Sequence, residues 1–210
     1  MSFPPLEITD LHKRFGTRAI LDGFSLVVAP AEVVRISGAN GTGKTTLLAC
    51  VAGTLIPDQG EIHIAGHELH GDPISARQAL RYLPQTTPTP RGVSGRELLE
   101  FYADLYGATP PELDEVAQYT GLDTSLDEFV TSYSGGMKRR LMLAALRFGR
   151  PHLVVLDEPL AGVDQAGRAS FRTQIDRWIS AGVGVILTTH DPKDPTFASL
   201  PVRVIEVGRQ

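Results

Sequence analysis

Along the chain, Leu6–Leu11, Ile20–Val28 and Val33–Ser37 read as strands, punctuated by turn residues at Phe15-Gly16-Thr17 and Ala29-Pro30-Ala31. Gly38–Gly43 breaks the pattern, and Lys44–Ala52 follows as a helix. Glu61–Ala65 alternates as a short strand; a helix is expected near Ile74–Ala79 and a strand at Arg81–Pro84. From about Thr86 to Arg150 the patterns are helical, with no convincing strand. Ser94, with Glu97 three residues on, fits a capping box opening a helix Gly95–Tyr106. Pro111 suits the first turn of a helix running to about Tyr119, and a third helix is expected from Gly135 to Phe148. The alternation then returns. Leu153–Leu156 is a continuous apolar run, as in a strand buried on both faces. Gln165–Ser180 reads as a helix, and Val183–Thr188 and Val202–Val207 as strands. Strand–helix alternation around an all-helical insert predicts an α/β core with a helical subdomain.

Composition changes this picture little. The 210 residues suit one domain, and 42% apolar with 21% charged residues suits an ordinary packed core. A net charge of −4 gives no global field to draw the chain to nucleic acid, and Lys138-Arg139-Arg140 is a candidate local basic patch. The single cysteine, Cys50, forms no internal disulfide and reads as a small buried hydrophobe on a helix. Met1-Ser2-Phe3-Pro4-Pro5 lacks a basic region followed by an apolar run, and no stretch reaches the ~18–20 apolar residues of a membrane span. A soluble, cytoplasmic chain is therefore expected, able to reach a membrane by docking on a partner.

Candidate chemistry begins at Gly38-Ala39-Asn40-Gly41-Thr42-Gly43-Lys44-Thr45, which fits G-x-x-x-x-G-K-[ST] at every fixed position. Glycines let the backbone turn tightly and bring its N–H groups against phosphate oxygens. The helix N-terminus that follows adds free N–H groups and partial positive charge. Lys44 is expected at the β- and γ-phosphates of ATP, Thr45 on Mg²⁺ and Thr46 at the α- or β-phosphate. A chance match in a chain this long has a probability on the order of one per cent. Downstream, the apolar strand Leu153–Leu156 ends in Asp157 and Glu158. Asp157 suits the carboxylate that holds Mg²⁺, usually through water, and Glu158 the one that orients or deprotonates the attacking water.

Further motifs occur with these in one order. Tyr133-Ser134-Gly135-Gly136-Met137 resembles the signature of the ATP-binding-cassette (ABC) family, whose usual form is Leu-Ser-Gly-Gly-Gln. Leu156-Asp157-Glu158-Pro159 followed by Ala161-Gly162-Val163-Asp164 resembles its Walker B and D-loop; Gln85 matches its Q-loop, His190 its switch histidine, and Phe15 its adenine-stacking aromatic. The match covers about residues 6 to 195. Tyr133 and Met137 depart from the usual Leu and Gln, and Phe15 from the usual Tyr. The resemblance implies a P-loop NTPase core: a mostly parallel sheet flanked by helices, with an N-terminal antiparallel β subdomain. The core would span residues 1–85 and 151–210, with a helical signature subdomain inserted at 86–150.

The resemblance also implies a mechanism. Two nucleotide-binding domains would pack head to tail, as a homodimer or with a second ABC subunit. The phosphate loop, with Gly38, Asn40, Gly41, Gly43, Lys44, Thr45 and Thr46, would face Ser134, Gly135 and Gly136 of the partner across ATP. His190 would hydrogen-bond the γ-phosphate, Gln85 would sense Mg²⁺ and the water, and Asp164 would couple the sites. Family members mostly power transport. With no span of its own, the chain would drive a separate permease from the inner face of the cytoplasmic membrane, meeting its coupling helices through the helical insert. Thr86–Val93, with Pro88, Pro90 and Gly92, suits a rigid surface loop there. The signature with its basic followers is similar to exporter-group ATPases, and no C-terminal regulatory domain is expected after His190. A DNA-repair, chromosome or ribosome-associated ABC ATPase and a P-loop kinase are the alternatives. The missing coiled coil and tandem cassette weigh against the first, and the signature against the second.

Overall fold

The four residues of the strand Leu153–Leu156 are all buried, and they sit inside a parallel sheet. The computed structural model describes residues 3–87, 89–191 and 193–208, arranged around two sheets. The first is antiparallel and formed by β1 (Leu6–Phe15), β2 (Arg18–Val28), β4 (Gln59–Ile64) and β5 (His67–Glu68), in the order β2-β1-β4-β5. The second contains β3 (Val33–Ser37), β6 (Leu80–Leu83), β7 (Leu153–Leu156), β8 (Gly184–Thr188) and β9 (Val202–Glu206). Its order is β6-β7-β8-β3-β9, parallel throughout. The helices are α1 (Lys44–Val51), α2 (Pro73–Gln78), α3 (Gly95–Leu105), α4 (Pro110–Tyr119), α5 (Gly135–Ala145) and α6 (Gln165–Ser180).

Side chains on a strand alternate between faces, and the parallel sheet shows why its strands read as unbroken apolar runs. Val154 and Leu156 of β7, with Val185 and Leu187 of β8, join a core with Leu98 and Leu99 of α3, Val116 of α4, Leu141 of α5, and Phe171, Ile175 and Trp178 of α6. The alternate residues Leu153, Val155 and Ile186 join a second core with Leu47, Leu48 and Val51 of α1 and with Leu6, Ile8, Ile62 and Ile64 of the antiparallel sheet. Each sheet residue buried this way contributes roughly 1.5–3 kcal/mol. Both faces are therefore anchored, and the strand ends become fixed points for polar side chains.

Several elements differ from the sequence expectation. β1 runs on to Phe15 rather than stopping at Leu11, because cross-strand pairs Lys13↔Leu21, Arg14↔Ala19 and Phe15↔Arg18 continue through register shifts. Such irregular, polar pairing leaves no period-2 hydrophobic signal. β5 is two residues long and carries no pattern of its own. Asp123–Asp127 and Val130–Ser132 form 3₁₀ turns between α4 and α5, too short for helical periodicity to register. α5 ends at Ala145, not Phe148. There the chain turns through Gly149, at φ 69°, and the Phe148 carbonyl accepts from the buried Arg81 guanidinium at 3.0 and 3.3 Å. The expected capping box is present: Glu97 N–H donates to Ser94 Oγ at 3.1 Å and Ser94 N–H to Glu97 Oε2 at 2.7 Å. Cys50 is buried on α1, and burial pushes its thiol pKa up to about 11, which suits a packing role.

Phe148 is fully buried in the core shared by α3, α5 and α6. Phe148→Ala is expected to lower unfolding free energy by about 3–5 kcal/mol, seen as a lower urea midpoint at unchanged slope. An unmoved midpoint would refute the packing assigned to this side chain.

Candidate nucleotide site

The loop after β3 is held in a shape that only its glycines permit. Gly38 sits at φ 147°, where a Cβ would strike the Val207 carbonyl. Gly43 sits at φ 107°, and a Cβ there would come within 2.6 Å of Ile20 Cγ2. Thr42 Oγ1 donates to the Ala39 carbonyl at 2.9 Å and closes the loop on itself. Gly43 is also the N-cap of α1, and no side chain caps that end. The first N–H groups of α1 therefore lack a side-chain acceptor and form an anion-binding end. Lys44 Nζ folds back to donate to the carbonyls of Gly38 at 2.8 Å and Ala39 at 3.0 Å.

Opposite the loop, the end of β7 presents two carboxylates. Asp157 is 2% exposed and Glu158 9%. The Thr188 hydroxyl, at the end of the neighbouring β8, links them: it donates to Asp157 Oδ1 at 2.6 Å and accepts from Glu158 N–H at 3.0 Å. Asp157 Oδ2 is buried with no hydrogen-bond partner among the described residues. A buried carboxylate oxygen in that state is costly unless a donor or cation meets it, and a hard divalent cation fits the oxygen donors here. Glu158 adopts φ 51°, a left-handed conformation that costs a non-glycine residue about 1–3 kcal/mol. Its Oε2 accepts from His190 N–H at 2.9 Å, and His190 Nε2 lies 3.5 Å from Oε1.

These groups meet in one cleft of about 370 Å³, lined by Asn40, Gly41, Gly43, Lys44, Thr45, Thr46, Gln85, Asp157, Glu158 and His190, with Ile20 as an apolar wall. Gly38 lines the adjoining depression with Lys44 and His190. Phe15 is not among the lining residues; it stands 53% exposed at the end of β1. Ser134, Gly135 and Gly136 lie elsewhere, at the start of α5, with Ser134 and Gly135 exposed. Ser134 Oγ caps that helix by accepting from Met137 N–H at 3.2 Å. Gly136 packs so tightly on the loop before α6 that a Cβ would come within 2.6 Å of the Gly162 carbonyl. Asp164 caps α6, its Oδ1 accepting from Gly167 N–H at 2.9 Å. The departure at Tyr133 has a structural reason: its hydroxyl donates to the Ser125 carbonyl at 2.5 Å, in space left by the missing side chain of Gly95.

Sequence reasoning missed Ile20, Thr188 and Arg139. Thr188 reads as the last residue of an apolar strand, and only the pairing of β7 with β8 brings its hydroxyl to the acids. Arg139 reads as part of a basic patch, yet it is 3% exposed. Of its neighbours, Lys138 is half-buried and Arg140 lies 3.9 Å from Asp164, so the run forms no continuous cationic surface.

Comparison with known proteins agrees with this geometry. Residues 21–161 match the family model described as ABC transporter. The whole chain aligns at 32% identity with 67% of the daunorubicin resistance ATP-binding protein DrrA3 of Streptomyces coeruleorubidus. It aligns equally completely, at 33% identity, with 70% of the Nod factor export ATP-binding protein I of Burkholderia pseudomallei. At 36% identity, 82% of the chain aligns with 77% of the cytochrome c biogenesis ATP-binding export protein CcmA of Cupriavidus necator. Among solved structures, the ATP-binding subunit of an ABC transporter superposes with a TM-score of 0.81 at 28% identity, over 88% of this chain and 79% of that one. With a phosphate loop, paired carboxylates and a signature helix on one P-loop scaffold, the chain belongs to the ABC transporter family as an ATP-binding, ATP-hydrolysing subunit.

Proposed function

We propose that this chain is the Mg-ATP-driven motor of an exporter, closing on a second nucleotide-binding subunit to power a separate permease. One observation carries the reading. The phosphate loop, both acids, Gln85 and His190 share a cleft, while Ser134–Gly136 lie outside it, with Ser134 and Gly135 exposed. A chain so arranged holds half of a composite site twice over, and a head-to-tail partner would complete both halves. Adenine would stack on Phe15. Lys44 would exchange the Gly38 and Ala39 carbonyls for phosphate oxygens, joined by the N–H groups of Asn40, Gly41, Gly43, Thr45 and Thr46. Asp157, Thr45 and Gln85 would hold Mg²⁺, which would screen the phosphate charge. Glu158 would take a proton from the attacking water as its oxygen bonds to the γ-phosphorus. The bond to the bridging oxygen then breaks, releasing ADP and phosphate. His190 would hydrogen-bond the γ-phosphate, and Asp164 would lie near the partner's site.

The names of the relatives concern drug resistance and export, which supports the direction of transport. No helix among the described residues is long and apolar enough to cross a membrane. The relatives are named as ATP-binding proteins, which supports a separate permease at the cytoplasmic membrane. A mostly apolar groove formed by Pro90, Gly92, Val93, Leu98 and Phe101, with Glu97 as its charged member and Phe101 58% exposed, suits its coupling helix. Pro88, expected in that loop, lies outside the described residues.

Glu158→Gln is expected to keep ATP affinity, slow hydrolysis by about 10²–10⁴-fold and accumulate an ATP-bound dimer on size-exclusion chromatography. Wild-type turnover would remove Glu158 from the reaction. Lys44→Ala should weaken binding of a fluorescent ATP analogue, whereas equal affinity would mean the loop does not hold phosphate. Phe101→Asp should abolish co-purification with the permease from detergent extracts while sparing nucleotide binding. Full activity in a membrane-free assembly of the unaltered chain would count against the transporter role.

A further inference from the structure

Arg139 carries a charge into the centre of the molecule and meets it almost wholly with backbone carbonyls. Nη2 donates to the carbonyls of Asp157, at 2.6 Å, and Glu158; Nε donates to that of Pro159 at 3.1 Å. Nη1 donates to the Pro84 carbonyl at 2.7 Å, and at 3.4 Å to the Gln85 carbonyl and the Thr87 hydroxyl. One rigid, planar guanidinium thus joins three places. It grows from α5, one helical turn beyond Ser134–Gly136; it grips the chain on either side of Gln85; and it grips the turn that holds Glu158 left-handed. Burial draws its pKa down, with the charges of Asp157 and Glu158 opposing, and arginine stays protonated regardless.

We propose that Arg139 is the positioning residue that sets Gln85 and Glu158 together from the signature helix, so that a shift of α5 moves both as one. Its donors are turned to backbone carbonyls and the Thr87 hydroxyl, so it acts through the orientation of those two side chains and touches no substrate. The carbonyl of Glu158 is fixed by the guanidinium, its N–H by Thr188 and its carboxylate by His190 N–H. Loosening the first of these frees a strained residue to relax. A lysine would keep the charge but, as a compact point donor, cannot fork across carbonyls on separate segments.

The inference rests on Glu158 being the water-orienting carboxylate, and the test separates the two. In Arg139→Lys, affinity for a fluorescent ATP analogue is expected to stay unchanged while kcat per folded molecule falls by on the order of 10–100-fold. In single-turnover assays the same substitution on a Glu158→Gln background should cost clearly less than it does in the otherwise unaltered chain, because the part of its effect carried by Glu158 is already gone. Undiminished kcat per folded molecule, or a full additive loss on the Glu158→Gln background, would overturn the proposal and reduce Arg139 to a stabilising contact. Wild-type turnover in Glu158→Gln alone would instead remove the reading of Glu158. If Arg139→Lys does not fold, hydrogen exchange on the unaltered protein decides. A non-hydrolysable ATP analogue should change protection at Gln85–Thr87 and Glu158–Leu160 together, and independent changes would sink the linkage.

Discussion

Strand β7 is the constraint on which the rest depends. Its side chains alternate into two separate cores, so it can neither slide nor rotate without exposing one of them. That immobility is what makes it possible to set two acids side by side at its end. Like charges so close repel, and each needs a partner that neither neutralises it nor lets it drift. The Thr188 hydroxyl donates a hydrogen bond to Asp157 Oδ1 and accepts one from the Glu158 backbone N–H, while the Glu158 carboxylate accepts from His190 N–H. Beyond it the backbone turns through a left-handed residue, so Glu158 leaves the sheet and faces the phosphate loop rather than continuing along the strand.

The phosphate loop was fully legible in the sequence because its information is local. The glycine positions, the lysine and the helix start lie within eight consecutive residues, and each is dictated by backbone geometry at its own position. The double-sided burial of β7 and β8 was legible for a related reason: unbroken apolar runs have few other uses. Thr188 and Arg139 were not, since each acts on groups brought near only by the sheet order and by the packing of α5 against it. A basic run is ordinarily solvated, and nothing local distinguishes the buried Arg139 from its neighbours. The irregular pairing of β1 beyond Leu11, the two-residue β5 and the 3₁₀ turns were illegible because none has a hydrophobic period.

Charge also orders the cleft. Lys44 faces the carbonyls of Gly38 and Ala39, which stand in the loop where phosphate oxygens would otherwise be drawn. Among the described residues no lysine or arginine pairs with the carboxylates on the far wall, and the His190 ring lies beside that of Glu158. The cleft thus offers N–H groups and an ammonium on the loop side and, on the far wall, a carboxylate oxygen without a hydrogen-bond partner among the described residues, a complementary setting for a polyanion carried with a divalent cation.

The signature and the loop before α6 belong together for a packing reason. Gly136 touches the Gly162 carbonyl too closely for any side chain, and Arg140 leans toward Asp164 from the same helix. The exposed end of α5 and the cap of α6 therefore move as a single surface. Arg139, one residue along, roots that surface to the carbonyls beneath the acids. The exposed start of α5 and the floor of the chain's own cleft are two faces of one continuous contact, which rigid packing transmits better than a flexible loop would. A signature that must be both exposed and coupled is best placed at a helix N-terminus. Its first turn can then meet solvent or a partner while its second is buried against the sheet.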